Sequence, residues 1–276
     1  MSLKIAICLF GKFTGVNIRN EIQDFSLLFK SLYEHVIDDN TDIFLHGWDD
    51  NPIQTKILLD TIKPKKYLLE KQIIFNHPYK HYNFINSGPW NTQDHIFNNY
   101  SRFYSLKKSI ELVDDDYDFI LLCRFDTVFY EKINFECMEP KNLYVSHWCH
   151  HYDHHGVNDC WFISGPKNIK NLSLIYDRLD MYFSDNSMYL EFIKQRNFSE
   201  KNYPSGHLIF RYRIFEMGLC DFLYGYGLEH ITYGLARNYN NRSNEMHMLL
   251  PDIRKPKKLS HIPKNIYPSY ANNPNK

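Results

Sequence analysis

Short apolar runs alternate with segments of helical hydrophobic spacing through the first half of the chain. Apolar residues recur three or four positions apart in Glu21–Val36, Gln54–Ile62 and Asp94–Val113, which predicts helices. The apolar runs between them predict strands at Leu3–Phe10, Thr41–Leu45, Lys66–Glu70 and Phe119–Cys123. Because strands and helices alternate, we predict βαβ units and an α/β fold with a central, mostly parallel sheet.

The second half of the chain has a less regular pattern. Further strands are predicted at Leu143–Trp148, Cys160–Ser164 and Asp221–His230. Helices are predicted at Asn168–Phe183 and from Ser205 onward. From residue 251 the chain is polar and rich in proline, so 251–276 is predicted to be extended or disordered. We expect residues 1–250 to form a single domain.

Charged residues stand directly after the predicted central strand. Arg124 and Asp126 follow the apolar run Phe119–Cys123, which has the length and composition of a strand buried on both faces. In open α/β sheets, ligands bind outside the carboxyl ends of the strands. An arginine can hold a phosphate and a carboxylate can hold a divalent cation. The alternative interpretation is a structural ion pair between Arg124 and Asp126.

Two other strand ends carry candidate binding residues. Gly11-Lys12 follows the first strand, and His46–Asp50 follows the second. A glycine at such a position lets a ligand approach the backbone closely, although a full GxGxxG is absent. No GxxxxGK[ST] or GxSxG motif occurs, which argues against P-loop phosphoryl transfer and against serine-hydrolase chemistry of the nucleophile-elbow type.

The composition of the chain bears on its possible binding partners and on its cellular compartment. Among the 276 residues, Lys+Arg and Asp+Glu are equal at 32 each, so no net field favours nucleic acid. The 6 cysteines form no CxxC pair, and no apolar segment approaches the length of a membrane span. We therefore expect a reducing, cytoplasmic location without a membrane span. Aromatic residues make up 16%, which fits either an AT-rich coding sequence or sugar-stacking surfaces.

Two polar segments have several interpretations. Residues 147–155 contain five histidines and a cysteine, but no matching second half of a zinc site occurs elsewhere. A solvated loop that contacts hydroxyl groups is the favoured interpretation. His77–Asn91, rich in proline, asparagine, histidine and tyrosine, is interpreted as a lid.

Several segments together resemble a known family. KIAICLFGKFTG, DIFLHGWD, RFYSLKKSIEL before YDFILLCRFD, and NDCWFISGPKNIKNLSLIY are similar to polysaccharide-type glycosyltransferases of the GT-A fold, which occur in bacterial capsule and lipopolysaccharide clusters and in large DNA viruses. The resemblance implies a GT-A-like Rossmann-type α/β/α sandwich. It implies transfer of a sugar from a UDP- or GDP-type donor to a glycan hydroxyl, in the cytoplasm of the cell or of the viral host. Residues 1–130 would bind the donor, and residues 131–250 would bind the acceptor.

The resemblance also implies roles for single residues. The family's strand ends in D-x-D, which binds Mn²⁺ or Mg²⁺ and the diphosphate; here Arg124 occupies the first acidic position and Asp126 the second. Asp126 is thus the expected metal ligand, and Arg124 could replace part of the metal's role. Asp159 and Asp126 are the candidate catalytic residues, although Asn158-Asp159 could instead form a turn. The expected donor-binding residues are Phe10, Gly11, Lys12, Trp48, Asp49, Arg102, Arg124 and Asp126, and the expected acceptor residues are Asn158, His207 and Glu229.

Two rival functions stay open. A sugar-phosphate nucleotidyltransferase would share the Rossmann-like half, but Gly11–Gly15 is a poor version of its glycine-rich loop. A degenerate domain that binds glycans without turnover would account for the missing first acid of D-x-D.

Overall fold

The computed structural model describes residues 3–16, 22–49, 51–75, 92–114, 116–146, 156–194, 205–226, 233–235 and 257–258. The helices are α1 (Phe25–His35), α2 (Pro52–Ile62), α3 (Thr92–Glu111), α4 (Pro166–Ser173), α5 (Ile175–Phe183), α6 (Met188–Lys194) and α7 (Gly206–Glu216). The strands are β1 (Ile5–Gly11), β2 (Thr14–Val16), β3 (Ile22–Asp24), β4 (Thr41–Trp48), β5 (Lys66–Glu70), β6 (Phe119–Arg124), β7 (Thr127–Phe129), β8 (Leu143–Ser146), β9 (Trp161–Ser164), β10 (Leu223–Tyr226), β11 (Tyr233–Leu235) and β12 (Lys257–Lys258).

A mixed, mostly parallel sheet of 8 strands forms the centre, in the order β12-β10-β8-β9-β6-β1-β4-β5. Strands β6, β1, β4 and β5 run parallel to their neighbours in this series, as do β8 and β10. Strand β9 lies antiparallel between β6 and β8. With helices on both faces, this is a Rossmann-type α/β/α sandwich, and the predicted fold class is confirmed.

Alternating side chains of the central strands supply two hydrophobic cores. In β1, Ala6, Cys8 and Phe10 join the core beneath α3–α7, whereas Ile7 and Leu9 join the core beneath α1 and α2. Successive side chains of a strand point to opposite faces, so both faces of β1 are buried. This burial explains the continuous apolar runs in the sequence.

Most predicted elements are present with small shifts at their ends, and β5 has the predicted bounds. Helix α2 begins where the Asn51 side chain accepts hydrogen bonds from the N–H groups of Ile53 and Gln54, with Pro52 in the first turn.

The helix predicted over Glu21–Val36 is wrong at its start. Residues Ile22–Asp24 form β3, because their backbone pairs antiparallel with β2 in a hairpin that the sequence pattern did not indicate.

The helix predicted over Asn168–Phe183 is two helices. The break falls at Leu174, whose N–H group donates to Asn171 and Leu172 rather than continuing the regular ladder. The strand predicted over Asp221–His230 begins later, at Leu223, because Cys220–Phe222 forms a 3-10 turn before β10, and residues 227–230 lie outside the described part of the chain.

Several predictions lie outside the described residues, namely the lid at His77–Asn91, the histidine-rich segment 147–155, and Glu229. Of the tail 251–276, only β12 is described, and it pairs antiparallel with β10. The cysteines within the described ranges (Cys8, Cys123, Cys137, Cys160 and Cys220) are free thiols. None of the helices described here has both the length and the apolar character needed to cross a membrane.

Candidate functional site

The strand directions bring the predicted charged residues to one edge of the sheet. Strand β6 ends at Arg124, which lies opposite Phe10 of β1 in the parallel register. Strand β9 is antiparallel to β6, so Asp159, just before β9, lies at the edge where β6 ends. The N–H group of Arg124 donates to the carbonyl oxygen of Cys160 over 3.1 Å, which fixes the two segments side by side.

Five side chains meet at this edge and form what we call the charge cluster: Arg102, Arg124, Asp126, Asp159 and His207. Arg124 donates from Nε and Nη2 to the two oxygens of Asp126, over 2.8 and 2.5 Å, and from Nη1 to Asp159 Oδ1 over 2.8 Å. Arg102 donates from Nη1 to the other oxygen of Asp159. His207 Nδ1 lies 3.8 Å from the same oxygen. Asp159 thus bridges two guanidinium groups.

Arg102 reaches the cluster from the middle of α3, and the first residue of α7 leaves room for it. A Cβ atom at Gly206 would overlap Nη1 of Arg102 and would lie 3.3 Å from Asn99 Oδ1. A glycine at this position therefore lets the guanidinium group lie against the start of α7.

Burial and charge oppose each other in setting the pKa values of the cluster. Burial raises the pKa of the Asp159 carboxyl, whereas Arg102 lowers it the most. His207, whose ring is protonated in the acid range where Asp159 titrates, and Arg124 lower it further, and the pKa lies well below its ordinary value. Burial lowers the pKa of the Arg124 guanidinium, but Asp126 and Asp159 outweigh burial and raise it. Both residues are therefore charged at neutral pH.

His207 is a neutral ring at neutral pH. Burial lowers the pKa of the His207 imidazole below its ordinary value, and Asp159 only partly offsets this. The ring Nδ1 lies 3.0 Å from the carbonyl oxygen of Val157, so Nδ1 carries the proton and donates it. The Val157 N–H group in turn donates to the carbonyl oxygen of His207 over 3.1 Å. These two bonds hold the start of α7 against the segment before β9.

Asn158 has the contacts of a turn residue. Its Oδ1 accepts a hydrogen bond from the Cys160 N–H group over 3.1 Å, and its Nδ2 donates to the hydroxyl of Tyr233 over 2.9 Å. This is the turn-forming alternative for Asn158-Asp159, and it directs the neighbouring Asp159 towards the arginines.

The low pKa of Asp159 predicts a specific loss of stability in acid. A carboxyl group whose pKa is depressed by folding stabilises the protein above its unfolded pKa of about 3.9 and loses this effect as the pH falls towards the folded pKa. We expect the difference in unfolding free energy between wild type and Asp159→Asn to be largest above about pH 5 and to shrink towards about pH 2.5. Urea denaturation across this pH range measures the difference.

The control for this prediction is Asp60→Asn, at an exposed position of α2. We expect it to change the unfolding free energy at pH 7 by less than about 0.5 kcal/mol. A wild-type–Asp159→Asn difference that stays constant with pH would contradict the assignment of Asp159 as an ion-paired carboxylate.

A second buried network, which the sequence did not indicate, lies at the end of β1. The Gly11 N–H group donates to Ser105 Oγ over 2.7 Å, and Ser105 Oγ lies 2.7 Å from Nδ1 of His46. His46 Nε2 lies 2.9 Å from Glu70 Oε1. Since Nε2 faces a carboxylate, it carries the ring proton, and Nδ1 accepts from the Ser105 hydroxyl. Ser105 is fully buried, so this Ser-His-Glu order positions Gly11 and does not expose a nucleophile.

Replacing Ser105 tests this network. Ser105→Ala leaves the Gly11 N–H group and His46 Nδ1 without the hydroxyl, so we expect the unfolding free energy to fall by about 1–3 kcal/mol. Ser109 is the matched control, because it is equally buried on α3 but, within the described ranges, its hydroxyl donates only to the carbonyl of Leu106 one turn back. Ser109→Ala should cost less than about 1 kcal/mol. Equal losses in chemical denaturation would contradict a network specific to Ser105.

The remaining predicted donor residues lie at neighbouring strand ends. Trp48 is 2% exposed and stacks on Tyr104, with ring centroids 5.6 Å apart. Asp49 Oδ1 accepts from the hydroxyl of Thr55 over 2.6 Å. Across the described part of the chain, neither Trp48 nor Asp49 forms a hydrogen bond or ion pair with the charge cluster. Lys12 is exposed at the end of β1.

The donor set at this edge does not fit a divalent cation. Both oxygens of Asp126 and both oxygens of Asp159 accept hydrogen bonds from guanidinium groups. Arg124, in place of the first acid of D-x-D, offers no ligand atom. Over the residues that the structure describes, no three His, Cys, Asp or Glu side chains are grouped to hold a metal ion. The described residues thus offer no ready set of ligands for the predicted Mn²⁺ or Mg²⁺.

Comparison with known proteins does not assign the chain to a family. No protein-family model matches the chain, and no curated protein matches it in sequence. The glycosyltransferase resemblance is therefore a proposal that rests on the residues alone.

Proposed function

We propose that this protein is a glycosyltransferase that moves a sugar from a nucleoside-diphosphate sugar to the hydroxyl group of a glycan. The observation that carries the proposal is the pair of guanidinium groups, Arg102 and Arg124, which share Asp159 at the carboxyl edge of a Rossmann-type sheet. Ligands of open α/β sheets bind at this edge, and arginine is suited to phosphate groups.

The proposed reaction places developing negative charge beside these arginines. The bond between the anomeric carbon and the diphosphate oxygen breaks, and the nucleoside diphosphate leaves with the electron pair. A new bond forms to the acceptor oxygen, whose proton passes to a base of the protein. Cationic groups near the leaving oxygen lower the barrier, because charge builds up there in the transition state.

The contacts favour a positioning role for Asp159 over the role of base. A carboxylate held by two arginines has a depressed pKa, so it is a weak proton acceptor. Its two bonds instead fix the directions of Arg102 and Arg124. The neutral ring of His207, whose Nδ1 donates to Val157, is the better candidate to receive the proton of the acceptor hydroxyl, at Nε2.

Isothermal titration calorimetry with UDP- and GDP-sugars tests the proposal. We expect one nucleotide class to bind the wild type, and Arg102→Gln to weaken this binding by about tenfold or more, since charge-assisted bonds to the diphosphate are lost. Lys141→Gln is the control, because Lys141 is exposed and pairs only with Glu139 among the described residues.

Release of nucleoside diphosphate in the presence of glycan acceptors then tests turnover. Failure of every nucleotide sugar to bind would overturn the proposal.

A glycan-binding domain without turnover is the second candidate. The observation that favours it is that both carboxylates of the charge cluster, Asp126 and Asp159, accept a hydrogen bond from arginine at each oxygen. In that case glycan arrays would give binding, whereas nucleotide sugars would give neither binding nor turnover.

A further inference from the structure

The charge cluster is balanced without any added ion. Arg102 and Arg124 carry two positive charges, and Asp126 and Asp159 carry two negative charges. His207 is neutral at neutral pH. A single divalent cation between two aspartates would give the same sum, so the two guanidinium groups stand in for the charge of one such ion.

A divalent cation added to this arrangement would be costly. It would need carboxylate oxygens that now accept hydrogen bonds from Arg124 and Arg102, and Asp159 is 2% exposed at its side chain. Breaking these bonds would leave half-buried guanidinium groups without their carboxylate partners and close to a second positive charge. The contacts thus oppose a cation at Asp126.

The guanidinium groups keep donors for a ligand. A guanidinium group has five N–H donors, and Arg124 uses three of them on Asp126 and Asp159, which leaves two that bond no other described residue. The side chains of Arg102 and Arg124 are 29% and 18% exposed, so their outer edges face solvent. Arg102 lies against Gly206, the first residue of α7. An anion at the outer edges would meet two fixed positive groups.

We propose that the site binds the diphosphate of the nucleotide sugar without a divalent cation, with Arg124 and Arg102 supplying the charge that a metal ion would supply. This inference rests on the proposed function and specifies how its substrate is held. Asp126 and Asp159 orient the guanidinium groups and do not coordinate a metal. The aspartates therefore act as positioning residues.

Calorimetry of UDP and GDP with the wild type, in EDTA and in Mn²⁺, tests this inference directly. We expect the Kd of the nucleotide that binds to change by less than about threefold between the two buffers. A Kd that rises by more than this in EDTA would overturn the metal-independent site while leaving the proposed function in place. Absence of binding in both buffers would overturn the proposed function and this inference with it.

A substitution at residue 124 tests whether the metal-independent site can be made metal-dependent. Arg124→Asp restores the D-x-D pattern, so we expect nucleotide binding to be weak in EDTA and to be enhanced by Mn²⁺ by about tenfold or more. Wild-type affinity of Arg124→Asp in EDTA would overturn the role given to Arg124. Circular dichroism first checks that this variant is folded.

If Arg124→Asp does not fold, Arg102→Gln provides the test. Arg102→Gln retains Arg124, which still neutralises Asp159. We expect Arg102→Gln to weaken nucleotide binding by about tenfold in EDTA, and we expect Mn²⁺ not to restore it. Restoration of wild-type affinity by Mn²⁺ would overturn the inference. Lys141→Gln, at an exposed position, should bind as the wild type does in both buffers.

Discussion

Arg124→Ala is expected to lower the unfolding free energy by about 3–5 kcal/mol, because it removes the arginine that holds Asp126 and one of the two that hold Asp159. The side chains of Asp126 and Asp159 are 7% and 2% exposed, so little water is available to replace the guanidinium group. Three hydrogen bonds from Arg124 are lost in the same step. Chemical denaturation at pH 7 measures the loss.

Two further variants separate the ion pairs from the effect of truncating a long side chain. Lys141→Ala removes an exposed pair with Glu139, 2.7 Å long, and should cost less than about 1 kcal/mol. Arg124→Ala combined with Asp126→Asn should recover part of the loss, since one of the unpaired charges is removed. A loss below about 1 kcal/mol for Arg124→Ala would mean that the carboxylates are hydrated rather than buried.

Gly156→Ala is expected to cost about 3 kcal/mol, the upper end of the usual range for backbone strain. Gly156 has φ of 96°, a value that residues with a side chain rarely adopt. An added Cβ atom would also lie 2.5 Å from the carbonyl carbon of His207, so the backbone at the start of α7 would have to move. We therefore expect weaker ligand binding as well as lower stability, measured by denaturation and by calorimetry.

Gly218 provides the matched control for this prediction. It also has a positive φ, 67°, but an added Cβ atom would meet nothing within 4 Å. Gly218→Ala should thus cost only the conformational penalty, about 1–2 kcal/mol, and should leave ligand binding unchanged. Equal costs at the two positions would mean that the contact with His207 relaxes without penalty.

The sequence predicted the α/β fold because the central strands are buried on both faces and stand out as continuous apolar runs. It also placed Arg124 and Asp126 at the end of a strand, with an ion pair between them as one of two interpretations. The sequence did not show that Arg102 and Asp159 join them. That contact depends on the antiparallel direction of β9, which no pattern within a four-residue strand encodes.

Other features could not be predicted, because their partners are far apart in the chain. Ser105 occupies the buried face of α3, where a serine is compatible with many environments. Its contacts with Gly11 and His46 exist only after β1, β4 and α3 have packed together. The hairpin of β2 and β3 likewise depends on backbone pairing rather than on a periodic side-chain pattern.

The charge cluster joins segments that lie far apart in the sequence, and this separation has a consequence for the order of folding. Arg124 and Asp159 are separated by 35 residues in sequence, and Arg102 and Asp159 by 57. Contacts of this separation close more slowly than local helices and turns, because the intervening loop must first be ordered. We therefore expect the Asp159 carboxylate to remain hydrated until the two halves of the sheet join, and recovery of ligand binding during refolding should report the final docking of those halves.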